Sequence, residues 1–220
     1  MNSLDLVSLD DSALKALIRG RVLHEPCCSP EDDWRYGSVT AERRAALRPF
    51  FPETPTPAAV LVPIVERDTG LTVLLTRRST DLTHHAGQIS FPGGRVDLHD
   101  VDVVSAALRE TEEEIGLARS HIELAGFLPD HLIISGYRVT PVVGFVRPEF
   151  QLRLEPTEVA GVFEMPLRHL LDERNHVRRV RHFAGNDIEL TDLPFGEHHI
   201  WGATAGMLIT LYRVLTARDA

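Results

Sequence analysis

The stretch Asp102–Leu117 reads DVVSAALRETEEEIGL, and its two sides make opposite demands on the fold. Val104, Ala107, Leu108, Thr111 and Ile115 recur at i, i+3, i+4, i+7 and i+11, an apolar helical stripe suited to packing on a sheet. Gly116 follows as a stop signal. At about 100° per residue, Glu110, Glu113 and Glu114 fall within an arc of about 100° beside that stripe, while Glu112 points elsewhere. Three neighbouring carboxylates repel unless a cation sits among them. Oxygen donors of this kind suit Mg²⁺ or Mn²⁺, hard ions that keep sites open to water and phosphate. An isolated acidic run is more often a solvated face. Here Arg109 is the one cation nearby on the helix, and FPGG (Phe91–Gly94) precedes it. Pro-Gly-Gly after a short strand lets backbone turn sharply and approach a ligand, with no Cβ in the way.

The rest of the chain supplies a sheet for that helix. AAVLVPIV and LTVLLT are apolar, β-branched runs separated by ERDTG, which reads as a hairpin. QISF, IELAGFL and VTPVVGFV read as further strands, EMPLRHLLDE and ATAGMLITLYRVLTA as helices. Strands and helices in mixed order, without regular βαβ alternation, predict a mixed sheet sandwiched by helices. Residues 1–56 differ. SALKALIRGRVL predicts a helix capped by Ser12, with Ala13, Leu14, Leu17 and Ile18 on one side. AERRAALRPF predicts a second short helix and FPETPTP a proline-rich linker. The expected organisation is a helical N-terminal arm over 1–56 and one α/β domain over 57–220.

A formal net charge of −9 argues against a general nucleic-acid binder, which needs surplus Lys and Arg. The two cysteines, Cys27 and Cys28, are adjacent, a poor geometry for a disulfide and too few ligands for zinc. No apolar run reaches the length of a membrane span, and MNSLDLVSLDD lacks the features of a signal peptide. A cytoplasmic location without nucleic-acid or membrane partners is the expectation.

GGRVDLHDVDVVSAALRETEEEIGL resembles the signature of the Nudix hydrolases, with Gly94, Arg109, Glu110, Glu113, Glu114, Gly116 and Leu117 in matching positions. Asp100 stands where that signature has its first Glu, Thr111 replaces an apolar residue, and one extra residue separates Asp100 from Arg109. Upstream, LLTRRSTDLTHHAGQISFPGG is similar to the segment preceding the signature in Nudix enzymes that hydrolyse coenzyme A, with Thr83 where arginine is usual. SGYRVTPVVG and HIWGATAGM resemble later stretches of the same bacterial group. The resemblance implies an α/β/α sandwich of Nudix type and metal-dependent hydrolysis of a nucleoside pyrophosphate, coenzyme A first. Another nucleotide sugar, dinucleotide or (d)NTP is the alternative, and a non-catalytic nucleotide-binding domain a further one. It implies Mg²⁺ or Mn²⁺ held by Glu110, Glu113, Glu114 and the Gly93 carbonyl. Arg109 would orient the glutamates, and Glu114 or Glu158 would serve as general base. Arg77, Arg78, His84, Gly87 and Gly94 are the expected substrate-binding residues. A homodimer is a possible assembly.

Overall fold

The computed structural model describes residues 3–27, 50–82, 85–183 and 185–217. Its organising element is β1 (Thr56–Arg67), which turns through Asp68 and Thr69 into β2 (Gly70–Arg78) as the predicted hairpin. β1 runs parallel to β7 (Tyr137–Val146) along its length, and antiparallel to β4 (Gly93–Arg95) at its start. β3 (Ile89–Ser90) and β8 (Val159–Pro166) pair with β2, while β5 (Ile122–Phe127) and β6 (His131–Leu132) pair with β7. The result is a mixed eight-stranded sheet.

Side chains along β1 explain the sandwich. Ala58, Val62 and Ile64 enter one core cluster, and Ala59, Leu61 and Val65 enter another. A strand buried on both faces needs a cover on each. One cover is α3 (Val103–Ile115), capped by the Asp102 carboxylate, which accepts the Ser105 N–H at 2.7 Å, and ended at Gly116 with φ of 70°. Ala106 and Ala107 are fully buried there, and their small size lets the helix sit close on β1. The other cover is α5 (Gly202–Thr216), joined by α1 (Ser3–Ser8) and α2 (Asp11–Arg21). Leu14 and Ile18 of α2 share the core of Leu208 and Leu211 of α5. The cap of α2 is Asp10, whose Oδ1 accepts the Ala13 N–H at 2.8 Å, rather than Ser12. The predicted helix over residues 41–50 lies almost wholly outside the described residues.

Two segments depart from expectation. EMPLRHLLDE predicts one helix, but Glu164–Pro166 complete β8, and α4 covers Leu167–Leu171 alone. Glu164 is held in the sheet by Arg67 on β1 and the Thr72 hydroxyl on β2, at 3.0 and 2.6 Å to its Oε2. Residues 177–200 form a second, three-stranded antiparallel sheet of β9 (Val177–Phe183), β10 (Asn186–Phe195) and β11 (His198–Ile200). No helix among the described residues is long and apolar enough to cross a membrane.

Candidate active site

The Pro-Gly-Gly turn carries the chain from β3 into β4 beside the start of β1. Gly93 has φ of 146°, and a Cβ there would lie 2.4 Å from the Ala59 carbonyl oxygen. A Cβ on Gly94 would lie 2.4 Å from Oε2 of Glu110. Both positions exclude side chains, so the carboxylates of α3 rest directly on the turn's backbone.

Glu114 lies deepest. It is 3% exposed, and its Oε2 accepts the Gly93 N–H at 3.1 Å. Nη1 of Arg78 approaches Oε1 only to 3.8 Å, and Arg78 Nε is buried with no hydrogen-bond partner. Burial, together with the charges of Glu158 and Glu110, pushes the Glu114 carboxyl up to about 7 against the pull of Gly93 and Arg78. Burial also raises Glu110, aided by Glu113 and Glu158 and opposed by Arg109.

Arg109 organises the outer rim. Its Nε and Nη2 donate to Oδ1 and Oδ2 of Asp100 at 3.0 and 2.9 Å, a bidentate pair. Nη1 donates to Glu110 at 3.0 Å and Glu113 at 2.9 Å, and Nη2 reaches the Arg95 carbonyl at 3.2 Å. The Asp100 side chain is only 4% exposed, and the Arg109 guanidinium holds its carboxyl below the usual carboxylate range. The Asp found in place of the signature's first Glu thus anchors the arginine that sets two of the three glutamates.

Glu158 arrives from a different segment. The Glu155 N–H donates to the Glu114 carbonyl at 2.9 Å, the Glu158 N–H to the Glu155 carbonyl at 3.0 Å, and the Ser79 N–H to the Glu158 carbonyl at 2.7 Å. The turn bearing Glu158 therefore hangs between the end of α3 and the end of β2. Its exposed side chain acts electrostatically on both Glu110 and Glu114.

Of the expected substrate-binding residues, Gly94 is in this cluster and Arg78 faces Glu114 from β2. Arg77 is exposed, near Gly161. Gly87, with φ of 68°, turns the loop that returns to β2, where the Arg78 N–H meets the Gln88 carbonyl at 2.9 Å. His84 lies outside the described residues. Arg78 as a partner of Glu114 was not read from sequence; the period-2 alternation of β2, which separates it from Arg77, was the available signal.

Among the described residues, no three acidic, histidine or cysteine side chains are grouped so as to hold a metal ion, and Glu110 and Glu113 are engaged by Arg109. Mg²⁺ takes one or two carboxylates and leaves positions for water and phosphate. The all-oxygen donor set and the buried Glu114 carboxyl, which Arg78 approaches only to 3.8 Å, fit such an ion.

A glycine turn that seats an arginine-ordered carboxylate helix on a mixed sheet between helical layers defines a Nudix protein. The chain belongs to that family: the model of the NUDIX domain matches residues 55–184. It is 46% identical over 154 residues to the protein named uncharacterized Nudix hydrolase NudL of Escherichia fergusonii, covering 69% of this chain and 78% of that one. Against the protein of the same name from Shigella flexneri it is 41% identical over 181 residues, covering 79% and 93%. The solved MutT/nudix family protein from Enterococcus faecalis is 16% identical, with 85% of this chain and 74% of that one aligned at a TM-score of 0.47.

Proposed function

We propose that this Nudix hydrolase cuts the pyrophosphate bond of coenzyme A or its derivatives, giving 4′-phosphopantetheine and 3′,5′-ADP. The observation that carries the reaction class is Glu114: a buried carboxylate seated on Gly93, with Glu110 and Glu158 adding like charge. Such a group is costly to keep unless a cation and substrate phosphates complete it. The substrate reading is carried by the segment Leu74–Gly94.

Glu110, Glu113, Glu114 and the Gly93 carbonyl are the groups that would hold Mg²⁺ or Mn²⁺. When bound, the ion neutralises charge on the pyrophosphate oxygens and makes water more acidic. The chain's own residues do the rest. Arg109, fixed by Asp100, orients Glu110 and Glu113. Arg78 balances part of the charge on Glu114. Glu158, on a separate turn facing the same carboxylates, is assigned as the base that takes the proton from the attacking water. Arg77, exposed at the end of β2, supplies a cation for the substrate's phosphates.

The test is a substrate panel with purified protein and Mg²⁺ or Mn²⁺: coenzyme A, a nucleotide sugar, a dinucleotide and a dNTP. Release of phosphopantetheine from coenzyme A at the highest kcat/KM supports the assignment. Preference for another member of the panel moves the substrate and keeps the chemistry. No turnover of any overturns both.

A further inference from the structure

A second cluster, outside the carboxylate site, lies on the small sheet. Asp192 on β10 is fully buried. Its Oδ2 accepts from Arg181 Nη2 at 2.9 Å and lies 2.8 Å from His199 Nε2, and it forms an ion pair with Arg179 Nε at 3.1 Å. Two guanidinium charges against one carboxylate leave surplus positive charge. The side chains of Arg179, Arg181 and His199 are 55%, 34% and 51% exposed, so this surplus reaches solvent. The sheet's other acids, Asp187 and Glu189, sit by His182 and Arg178. Arg181 Nε is buried with no acceptor, and its guanidinium stacks 4.6 Å over the Trp201 ring.

A further donor group adjoins these cations. Trp201 is the N-cap of α5, and its side chain caps nothing. The first N–H groups of a 15-residue helix thus begin one residue from the ring that carries Arg181. The same helical turn is tied to the catalytic turn, since the Thr204 hydroxyl donates to the Ile89 carbonyl at 2.9 Å, four residues before Gly93. His198, on β11, stacks on Phe163 of β8 with centroids 3.6 Å apart. The cluster therefore sits on an element braced against both strands that lead to the carboxylates.

We propose that Arg179, Arg181, His199 and the start of α5 form a second anion site, which takes a phosphate monoester. Buried Asp192 is its positioning residue: one oxygen holds Arg181 and His199 and pairs with Arg179, which keeps the three cationic side chains together. The inference rests on the coenzyme A reading only for the molecule that carries the phosphate, where it would be the ribose 3′-phosphate. A free phosphate compound is the other source of the same chemistry.

Two measurements test this. In the first, kinetics of Arg181→Gln are compared on coenzyme A and on its analogue lacking the 3′-phosphate. The expected result is a KM raised about tenfold on coenzyme A at unchanged kcat and less than about twofold change on the analogue, with only partial recovery in Arg181→Lys, which restores the charge but not the planar stacked group. Equal effects on both substrates overturn a role in reading the substrate. In the second, the unaltered protein is titrated calorimetrically with 3′,5′-ADP, 5′-AMP and inorganic phosphate. Tighter binding of 3′,5′-ADP than of 5′-AMP assigns the site to the substrate's phosphate. Inorganic phosphate bound by the parent and lost in Arg181→Gln assigns it to a free compound. No binding that depends on Arg181 overturns the site altogether. If neither coenzyme A nor its analogue is cleaved, the substrate reading falls and the titration still decides the anion site.

Discussion

Glu114 shows how one residue can set stability and function against each other. Its folded carboxyl, near 7, stands above its ordinary value of 4.5. Between those values the folded chain holds more protons than the unfolded one, so without a cation this group makes stability fall as pH rises through that window. Glu114→Gln removes the penalty. At pH 8 the ion-free variant should melt higher than the parent, by an amount on the order of 1–3 kcal/mol, with no difference at about pH 4. The ion reverses this ranking. Because the carboxyl must lose its proton to accept a cation, Mn²⁺ affinity of the parent should rise with pH from about 6 to 8 and flatten above. The two candidate bases separate by readout. Glu158→Gln should lower kcat by roughly 10²–10⁴-fold while Mn²⁺ still binds, whereas Glu114→Gln loses binding as well. Loss of Mn²⁺ binding in Glu158→Gln would move that residue into the ion's shell. Asp100→Asn, which frees Arg109 from its anchor, should reduce kcat about 10–100-fold through misplaced Glu110 and Glu113, and Asp100→Glu should recover part of it.

At the scale of elements, α5 is pinned by His131. Its Nε2 lies 2.9 Å from the Thr210 hydroxyl, and burial pushes the imidazole down to about 4. The folded chain keeps this ring neutral while the unfolded chain protonates it from its ordinary 6.5 downward. Stability from this group is present above that value and lost as pH falls towards 4, the opposite slope to Glu114. His131→Asn should therefore flatten the acid side of a melting-temperature profile, and an unchanged profile would contradict the half-buried neutral ring. The elements also show what can be read without a structure. The helix α3 was legible with its stop, because helical period and a terminal glycine are local. The hairpin, β5 and β7 were legible for the same reason. The stretch VRRVRHF was not, because alternating arginines look like a solvated edge until a buried Asp192 from the next strand is seen beneath them. Nor was the end of β8, where Arg67 and Thr72 draw Glu164 into the sheet against an apparently helical spacing. Contacts across many residues decide both cases, and no short window contains them.

The whole molecule gives the N-terminal arm a place. Lys15 of α2 pairs with Glu66 of β1 at 2.6 Å, and Leu14 and Ile18 are fully buried against the sheet's second face. Leu14→Ala should cost about 2–5 kcal/mol by chemical denaturation, the range for a cavity in a closed core. A cost below about 1 kcal/mol would mean an arm that folds apart from the domain. In the carboxylate cluster, the gathering of Glu110, Glu113 and Glu114 was readable from the sequence because RETEEEIG keeps them on one helix. Their arrangement was not, since Asp100, Arg78 and Glu158 come from three other segments that meet only in the folded sheet. The central claim is that these acids are gathered for a divalent cation that serves hydrolysis. Mn²⁺ titration followed by electron paramagnetic resonance tests it most directly. Saturable binding to the parent, weakened at least about tenfold in a folded Glu114→Gln protein, is the predicted result. Equal binding by the two proteins, or none by either, would contradict the account.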